Sequence, residues 1–502
     1  MSKIALQNLS FAYPGQDAVF KQVDLVMDTA WKTGLVGRNG RGKTTLLKIL
    51  TGALKGDGRI STDIKLTYFP PVVAKPDALT MEVLQDLTGA WTWELEREIA
   101  LLHVDLTALW RPFNTLSGGE QTKVLLASVF LDDINFPLLD EPTNHLDAPT
   151  RRQVAEYLQR QRHGYIVISH DRAFLNAVTN HTVAIEKQQL ITYQGNFAVY
   201  EAQKKLRDTT ELATNAKLKQ EIGRLKETAR QKRTFSAARE GDKYGKRLEK
   251  GSGAVFNNGW IGTRAARVMK KAKNLEQRMD NQINAKAKLL KNIETTAQLT
   301  MNYEPTHHQT CIVAQAMNMQ IKSGKLPLFE QVDFTLFRGK RLAISGANGV
   351  GKSKLVSGIL DQTELIINGD LKLTPGLKIS YVPQNVDNLA GSLMEYTKIN
   401  QIEYEQLVWH LRQFGLEREV LTTPLEQMSM GQKKKVVLAR SLSELANLYI
   451  WDEPLNYLDV FNQEQLIELI LRVQPTMLII EHDQHFIEQV ADQVVDLKRL
   501  GD

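Results

Sequence analysis

Two nine-residue stretches stand 309 positions apart and say nearly the same thing: Gly37-Arg38-Asn39-Gly40-Arg41-Gly42-Lys43-Thr44-Thr45 and Gly346-Ala347-Asn348-Gly349-Val350-Gly351-Lys352-Ser353-Lys354. Each fits G-x-x-x-x-G-K-[ST], the loop that cradles nucleotide phosphates. The register reaches further. Val23-Asp24 matches Val332-Asp333 at the same offset, and Ser117, Glu141 and His170 match Ser429, Glu453 and His482 at an offset of 312. Chance matches do not keep step over such distances. A unit of roughly 200 residues is far longer than a solenoid repeat, so the chain carries a duplicated domain, at 1–199 and 301–502, with 200–300 as a linker.

The residues before each loop, Thr33-Gly34-Leu35-Val36 and Arg341-Leu342-Ala343-Ile344, read as buried strands. Helical patterns follow, Leu46-Leu47-Lys48-Ile49-Leu50 and Leu355-Val356. Strand, glycine-rich loop and helix is the context a phosphate loop requires, and it predicts an α/β fold. The glycines let backbone N–H groups face the phosphates, and the helix N-terminus adds partial positive charge. The candidate ATP contacts are Gly37, Asn39, Gly40, Gly42, Lys43, Thr44 and Thr45 in the first half, with Gly346, Asn348, Gly349, Gly351, Lys352, Ser353 and Lys354 in the second. Lys43 and Lys352 are expected to reach the β- and γ-phosphates, and Thr44 and Ser353 to place a hydroxyl on Mg2+.

Downstream, Phe136-Pro137-Leu138-Leu139-Asp140-Glu141-Pro142 and Leu448-Tyr449-Ile450-Trp451-Asp452-Glu453-Pro454 are apolar strands ending in two carboxylates. Asp140 and Asp452 can hold Mg2+, and Glu141 and Glu453, one residue on, can orient and polarise an attacking water. His170 and His482 each precede Asp at the end of another apolar strand and can donate to a γ-phosphate oxygen.

Composition narrows the class. No apolar run approaches the ~18 residues of a membrane helix, and MSKIALQNL has no apolar signal-peptide core; a cytoplasmic protein is expected. A single cysteine, Cys311, excludes an internal disulfide and a cysteine metal cluster, and His307-His308 reads as a loop pair. The net charge is +6, but residues 204–291 hold 24 Lys/Arg against 9 Asp/Glu. That segment is +15 and the remainder −9, a split that points to a polyanionic partner for the segment.

Leu116-Ser117-Gly118-Gly119-Glu120-Gln121 resembles the signature of ABC-type ATPases, and the order phosphate loop, LSGGEQ, LLDEPTNHLD, SHD is that of the superfamily. The resemblance implies that Ser117, Gly118, Gly119 and Glu120 in one half, and Ser429, Gly431 and Gln432 in the other, open helices aimed at the ATP of the opposite half. Lys43 would face Ser429, and Lys352 would face Ser117. Three departures imply unequal sites. Met430 stands where a signature glycine is usual. Gln384, in Tyr381-Val382-Pro383-Gln384, is the expected Mg2+-side glutamine, but Pro71 takes its place in Tyr68-Phe69-Pro70-Pro71. Tyr13 is placed to stack on adenine, whereas the matching residue is Lys322.

The linker reads as helical. Leu218, Ile222, Leu225 and Ala229 mark one stripe, and Leu275, Met279 and Ile283 another, as in an antiparallel hairpin of two helices. Glycines and asparagines break helix near 250–262. There Val255, Phe256, Asn257 and Trp260, flanked by Arg247, Lys250, Arg264 and Arg267, fit a probe with phosphate contacts alongside and base stacking at its end. The other reading is that the aromatics staple the hairpin end.

Tandem ABC domains around a long basic hairpin resemble the ABC-F family of ribosome-associated ATPases. MSKIALQNLSFAYPG, VGRNGRGKTTLLKIL, IGTRAARVMKKAK and MSMGQKKKV are similar to the Lsa-type antibiotic-resistance group, as is the end of the chain soon after the second domain. The resemblance implies an ATP- and Mg2+-dependent ATPase that acts as a monomer by intramolecular domain pairing. Its implied partners are the bacterial ribosome, through large-subunit rRNA and the tRNA of the peptidyl site. The hairpin would enter through the tRNA exit site, approach the peptidyl-transferase centre and displace lincosamides, streptogramin A compounds or pleuromutilins. A housekeeping factor for stalled ribosomes, and the ATPase subunit of a drug exporter, are the competing readings.

Overall fold

The computed structural model describes residues 2–244, 298–322, 326–360 and 365–500, apart from 16, 133, 134 and 145, together with residue 278. Two compact units are present, Met1–Tyr200 with Thr296–Asp502, and Glu201–Thr295.

In the first half the order is β1 (Lys3–Ala12), β2 (Ala18–Asp28), β3 (Lys32–Val36), α1 (Lys43–Leu50), β4 (Asp57–Ser61), β5 (Lys65–Phe69), α2 (Thr80–Thr88) and α3 (Thr92–Leu101). Then come α4 (Gly118–Phe130), β6 (Asn135–Asp140), α5 (Ala148–Arg160), β7 (Tyr165–Ile168), α6 (Arg172–Val178), β8 (His181–Glu186) and β9 (Gln189–Gln194). A six-stranded sheet runs β5-β6-β7-β3-β8-β9, parallel except for its last pair. A separate antiparallel sheet runs β2-β1-β4.

The second half repeats this plan. It holds β10 (Thr310–Ile321), β11 (Val332–Phe337), β12 (Arg341–Gly346), α8 (Lys352–Ile359), β13 (Leu365–Leu373), β14 (Ile379–Val382), α9 (Leu393–Ile399) and α10 (Tyr404–Gln413). α11 (Met430–Ser443), β15 (Leu448–Asp452), α12 (Val460–Val473), β16 (Met477–Ile480), α13 (Gln484–Val490) and β17 (Gln493–Leu497) complete it. Its parallel sheet runs β14-β15-β16-β12-β17, and its antiparallel sheet β11-β10-β13.

Burial explains the two kinds of strand. Tyr165–Ile168, Leu448–Asp452 and Met477–Ile480 are buried throughout, because a parallel sheet is covered on both faces. In the first half one face of the parallel sheet contributes Leu35, Leu138, Ile166 and Val183 to a core shared with the antiparallel sheet and α1. The other face contributes Val36, Leu139, Val167 and Ala184 to a core shared with α2 to α6. The second half likewise has two cores, one on each face. Each half is therefore an α/β sandwich with the loops at the carboxyl ends of its parallel strands free to build a site.

Sequence-local signals start the helices. Ser117 and Ser429 cap α4 and α11, their hydroxyls accepting from the N–H groups of Glu120 and Gln432, which in turn accept from the cap N–H groups. Asp147 and Asp459 cap α5 and α12, and Asp171 and Asp483 cap α6 and α13. The capping scheme is duplicated at the same offset as the motifs.

Of the linker, one helix is described, α7 (Phe197–Tyr244), 48 residues long and so about 70 Å in length. Ile222 is buried, and Leu218 and Leu225 are half-buried, in keeping with the first expected stripe. The second stripe at Leu275, Met279 and Ile283, and the tip residues Arg247, Lys250, Val255, Phe256, Asn257, Trp260, Arg264 and Arg267, lie outside the described residues.

Candidate functional site

Each phosphate loop lies where its sequence context puts it, between β3 and α1 or between β12 and α8. Gly42 and Gly351, at the helix N-caps, take φ of 93° and 110°. A Cβ on Gly42 would stand 2.3 Å from Val19 Cγ1, so both conformation and space require glycine there. Neither α1 nor α8 carries an acidic residue in its first turn, leaving the positive ends of both helices uncompensated. Lys43 Nζ donates to Gly37 O at 2.8 Å and to Asn39 Oδ1 at 3.2 Å. Lys352 Nζ donates to Gly346 O at 2.8 Å and Ala347 O at 3.0 Å. Burial lowers the proton affinity of both ammonium groups, and the acids around them raise it. The Tyr13 hydroxyl lies 3.0 Å from Thr45 Oγ1, which sets the ring beside the first loop.

The carboxylates converge on these loops. Asp140 and Asp452 end β6 and β15, and Glu141 and Glu453 follow with φ of 52° and 47°. Left-handed backbone at a glutamate costs of order 1 kcal/mol or more and is the kind of strain that functional sites hold. Their N–H groups donate to the carbonyls of Ile168 and Ile480, which ties each glutamate to the strand that ends at the histidine. His170 Nε2 stands 3.0 Å from Glu141 Oε1, and His482 Nε2 stands 3.8 Å from Glu453 Oε1. Burial pushes Glu141 up to about 8, with Lys43 opposing, and it pushes both imidazoles well below their ordinary value. Burial thus disfavours charge on both partners of the first-site pair.

The two halves also face each other, and the facing residues were not all evident in the sequence. The Asn39 N–H donates to Asp459 Oδ2 at 2.7 Å, and its side-chain amide donates to Tyr457 O at 2.9 Å. At the other loop the Asn348 N–H reaches Asp147 Oδ2 at 3.4 Å. Arg172 donates to Glu464 Oε2 at 2.6 Å and Val460 O at 3.3 Å, and Gln463 donates to His170 O at 3.3 Å. The Arg38 guanidinium lies over the Phe461 ring. Asp147 and Asp459 share the 312-residue register and could have been found from it; the register puts Gln484 opposite Arg172 and Arg151 opposite Gln463, so those contacts could not.

The signature of the second half meets the first loop. A Cβ on Gly431 would lie 3.0 Å from Tyr457 O and 3.7 Å from Asn39 Nδ2, so this glycine is confined by Tyr457 of its own half and touches the opposite loop. The other signature glycine is not: a Cβ on Gly118 would meet nothing within 4 Å. Met430, at the matching position, packs its side chain against the core of its own half.

Oxygen donors for Mg2+ are assembled differently in the two halves. At the second site the Ser353 hydroxyl donates to Gln384 Oε1 at 3.4 Å. Asp452 is wholly buried there, and that burial pushes its carboxyl up to about 6, against the Ser353 hydroxyl, which lowers it. Hydroxyl, amide oxygen and a buried carboxylate form a hard oxygen set that fits Mg2+. At the first site Asp140 and Thr44 are present, Pro71 supplies no side-chain oxygen, and the Tyr68 hydroxyl donates to Asp140 Oδ2 at 2.8 Å. Behind the second site Lys434, fully buried, donates to Pro383 O at 2.9 Å and Asp452 O at 3.2 Å. Buried Glu481 accepts from the Leu455 and His482 N–H groups. The matching residues of the first half are the neutral Thr122 and Ser169, the latter bonded to Thr143.

Chemically, bound Mg2+ would neutralise charge on the transferring phosphate. The chain's own groups would hold the phosphates by loop N–H groups and a lysine, fix the metal-side carboxylate, and place a glutamate and a histidine where water and the γ-phosphate meet. Among the described residues no helix is long and apolar enough to cross a membrane.

The ABC transporter family model matches residues 20–144 and 329–456. The chain is 29% identical to the ribosome protection protein VmlR of Bacillus subtilis, over 99% of this chain and 87% of that one. It is 27% identical to the ATP-binding protein Uup of Caulobacter vibrioides, over 99% and 78%, and 25% identical to ABC transporter F family member 5 of Arabidopsis thaliana, over 99% and 75%. Among solved structures, the archaeal ribosome recycling factor aABCE1, in complex with the ribosomal stalk protein aP1, superposes with a TM-score of 0.62 at 19% identity, covering 97% of this chain and 87% of that one. Two phosphate loops, each faced by the opposite half, and a family model matched twice lead to one assignment: the chain belongs to the ABC transporter family and is an ABC-F ATPase, with two ABC domains that bind ATP with Mg2+ and hydrolyse it.

Proposed function

We propose that the chain is an ATP-driven ribosome-protection protein. In this reading ATP closes the halves through the contacts at Asn39 and Asn348, and closure carries the basic segment of residues 200–300 into ribosomal RNA from the tRNA exit site. The tip near 250–262, with Phe256 and Trp260, would approach the peptidyl-transferase centre, shift the tRNA of the peptidyl site and displace a bound lincosamide, streptogramin A or pleuromutilin. One observation carries the reading: a segment of net charge +15 lies between the ATPase domains, inside an alignment to a ribosome protection protein that spans 99% of this chain. Charge of that density favours a phosphate backbone and makes binding salt-dependent. A second reading, a translation factor acting on stalled ribosomes without a drug, fits the equally long alignment to Uup.

The test has two arms. The E141Q/E453Q chain, loaded with ATP, should sediment with 70S ribosomes and dissociate as salt rises. Expression of the wild-type chain in a susceptible bacterium should raise the inhibitory concentrations of the three drug classes at least several-fold. Ribosome binding with no change in any inhibitory concentration selects the second reading. Absence from ribosomes at every salt concentration removes both.

A further inference from the structure

The structure assigns Tyr68 as the positioning residue for the divalent metal at the first site, where it takes over the task that Gln384 performs at the second. The inference rests on the reading of Asp140 as the metal-side carboxylate.

Gln384 and Ser353 stand together at the second site, 3.4 Å apart, and offer an amide oxygen and a hydroxyl beside Asp452. In the first half Pro71 occupies the place of Gln384, and a pyrrolidine ring offers neither donor nor acceptor. A carboxylate that must hold a hydrated cation with one fewer partner has more freedom to turn, and rotation about its terminal bond is soft. Something else has to fix Asp140.

Sheet geometry supplies it. β5 and β6 pair in parallel, with Tyr68 opposite Leu138. Side chains alternate along a strand, so Leu138 and Asp140 share a face, and Tyr68 shares it with them. The phenol therefore reaches along the sheet toward the strand end, and its hydroxyl donates to Asp140 Oδ2 at 2.8 Å. One carboxylate oxygen is held, and Oδ1 is left to accept from a metal-bound water. A phenol titrates at about 10, so its O–H is intact and free to donate at neutral pH. Outer partners of this kind orient metal-side carboxylates and are worth about 10–100-fold in metal affinity.

The second half provides the internal control. Tyr381 sits opposite Ile450, two residues before Asp452, in the same relation on the sheet. Among the described residues it makes no hydrogen bond to Asp452, whose charge only helps burial to raise the proton affinity of the phenol. Asp452 answers instead to Ser353, Lys434 and Lys352. Two tyrosines in matching positions thus have different partners, and the one that bonds its aspartate is the one whose neighbouring loop has lost its glutamine.

The experiment counts metal ions rather than turnover. The full chain is titrated with Mn2+ in the presence of a non-hydrolysable ATP analogue, and free Mn2+ is read by electron paramagnetic resonance. The wild-type chain should bind two ions tightly. Y68F should keep one tight ion and bind the other about 10-fold more weakly, and Y381F should keep both. D140N reports on the underlying assignment and should lose one ion. Two unaltered ions in Y68F, with one lost in D140N, would overturn the role of Tyr68 and leave the Asp140 reading standing. Two unaltered ions in both variants would overturn both. Equal weakening in Y68F and Y381F would mean that the phenols merely brace the sheet, and the assignment would fall.

Discussion

The two halves of this chain carry the same motifs in register and surround them with different neighbours. Behind the first site lie Thr122 and Ser169, two hydroxyls; behind the second lie Lys434 and Glu481, a buried cation and a buried acid. The glutamate–histidine approach is 3.0 Å in the first half and 3.8 Å in the second. The same divergence reaches the helices between the parallel sheet and the signature. In α3, Glu98 accepts a 2.8 Å bond from the Tyr157 hydroxyl. Its match in α10, 312 residues on, is His410, fully buried, with neither ring nitrogen hydrogen-bonded among the described residues. The match of Tyr157 is Leu469. A duplicated domain keeps what touches nucleotide and is free to change what lies behind it, provided partners change together. Lys434 with Glu481 shows such a paired change; His410 shows one left incomplete.

The largest expected effect tests whether the sites differ in use. Removing both glutamates as E141Q/E453Q should lower phosphate release by about 10²–10⁴-fold while nucleotide binding, read by fluorescence of a labelled ATP, persists. The single variants should give unequal residual rates, since the sites are built differently. Equal residual rates would break the comparison at the level of turnover.

A smaller effect concerns acid stability. Burial pushes His410 from an unfolded value of 6.5 to about 4. The unfolded chain therefore takes up this proton first, and stability present above pH 6.5 is lost as pH falls toward 4. Between pH 7 and pH 5 the loss from this one group is about 2 kcal/mol. H410L should remove that share of the pH dependence in urea unfolding followed by circular dichroism. A variant with the same pH slope as the wild type would show that the imidazole is not held neutral.

The smallest effect concerns the contacts between halves. D459N keeps a helix-capping oxygen but loses the charge behind the 2.7 Å bond from the Asn39 N–H, whereas D147N loses charge behind a 3.4 Å approach. Charge-assisted bonds exceed neutral ones by about 1 kcal/mol, so D459N should weaken ATP-driven closure, followed by energy transfer between labels on the two halves, about fivefold more than D147N. Equal weakening of closure by the two variants would mean that the two contacts are equivalent in solution.

Much of the site was readable from residue order. The strands before both loops, the loops, both carboxylate pairs and both histidines lie where spacing put them, because each motif is a strand end or a turn governed by a few neighbouring residues. The capping serines of the signatures were readable for the same reason. The packing of Met430 was not, since only the tertiary structure sets its partly buried side chain against the core of its own half, with Gly431 touching the opposite loop. Tyr68 was also hidden: the sequence shows that a glutamine is missing, but not that a phenol on the neighbouring strand reaches the carboxylate.

Residue order by itself determined a twofold α/β ATPase with a basic helical segment between its halves, because burial patterns and glycine placement act over a few residues at a time. The pairing of each phosphate loop with the opposite half, the left-handed backbone at Glu141 and Glu453, and the distinct surroundings of Asp140 and Asp452 were decided by tertiary structure alone. Those features depend on groups tens to hundreds of residues apart meeting in a low-dielectric interior, where a hydrogen bond or a charge acts strongly at short range and leaves no periodic trace along the chain.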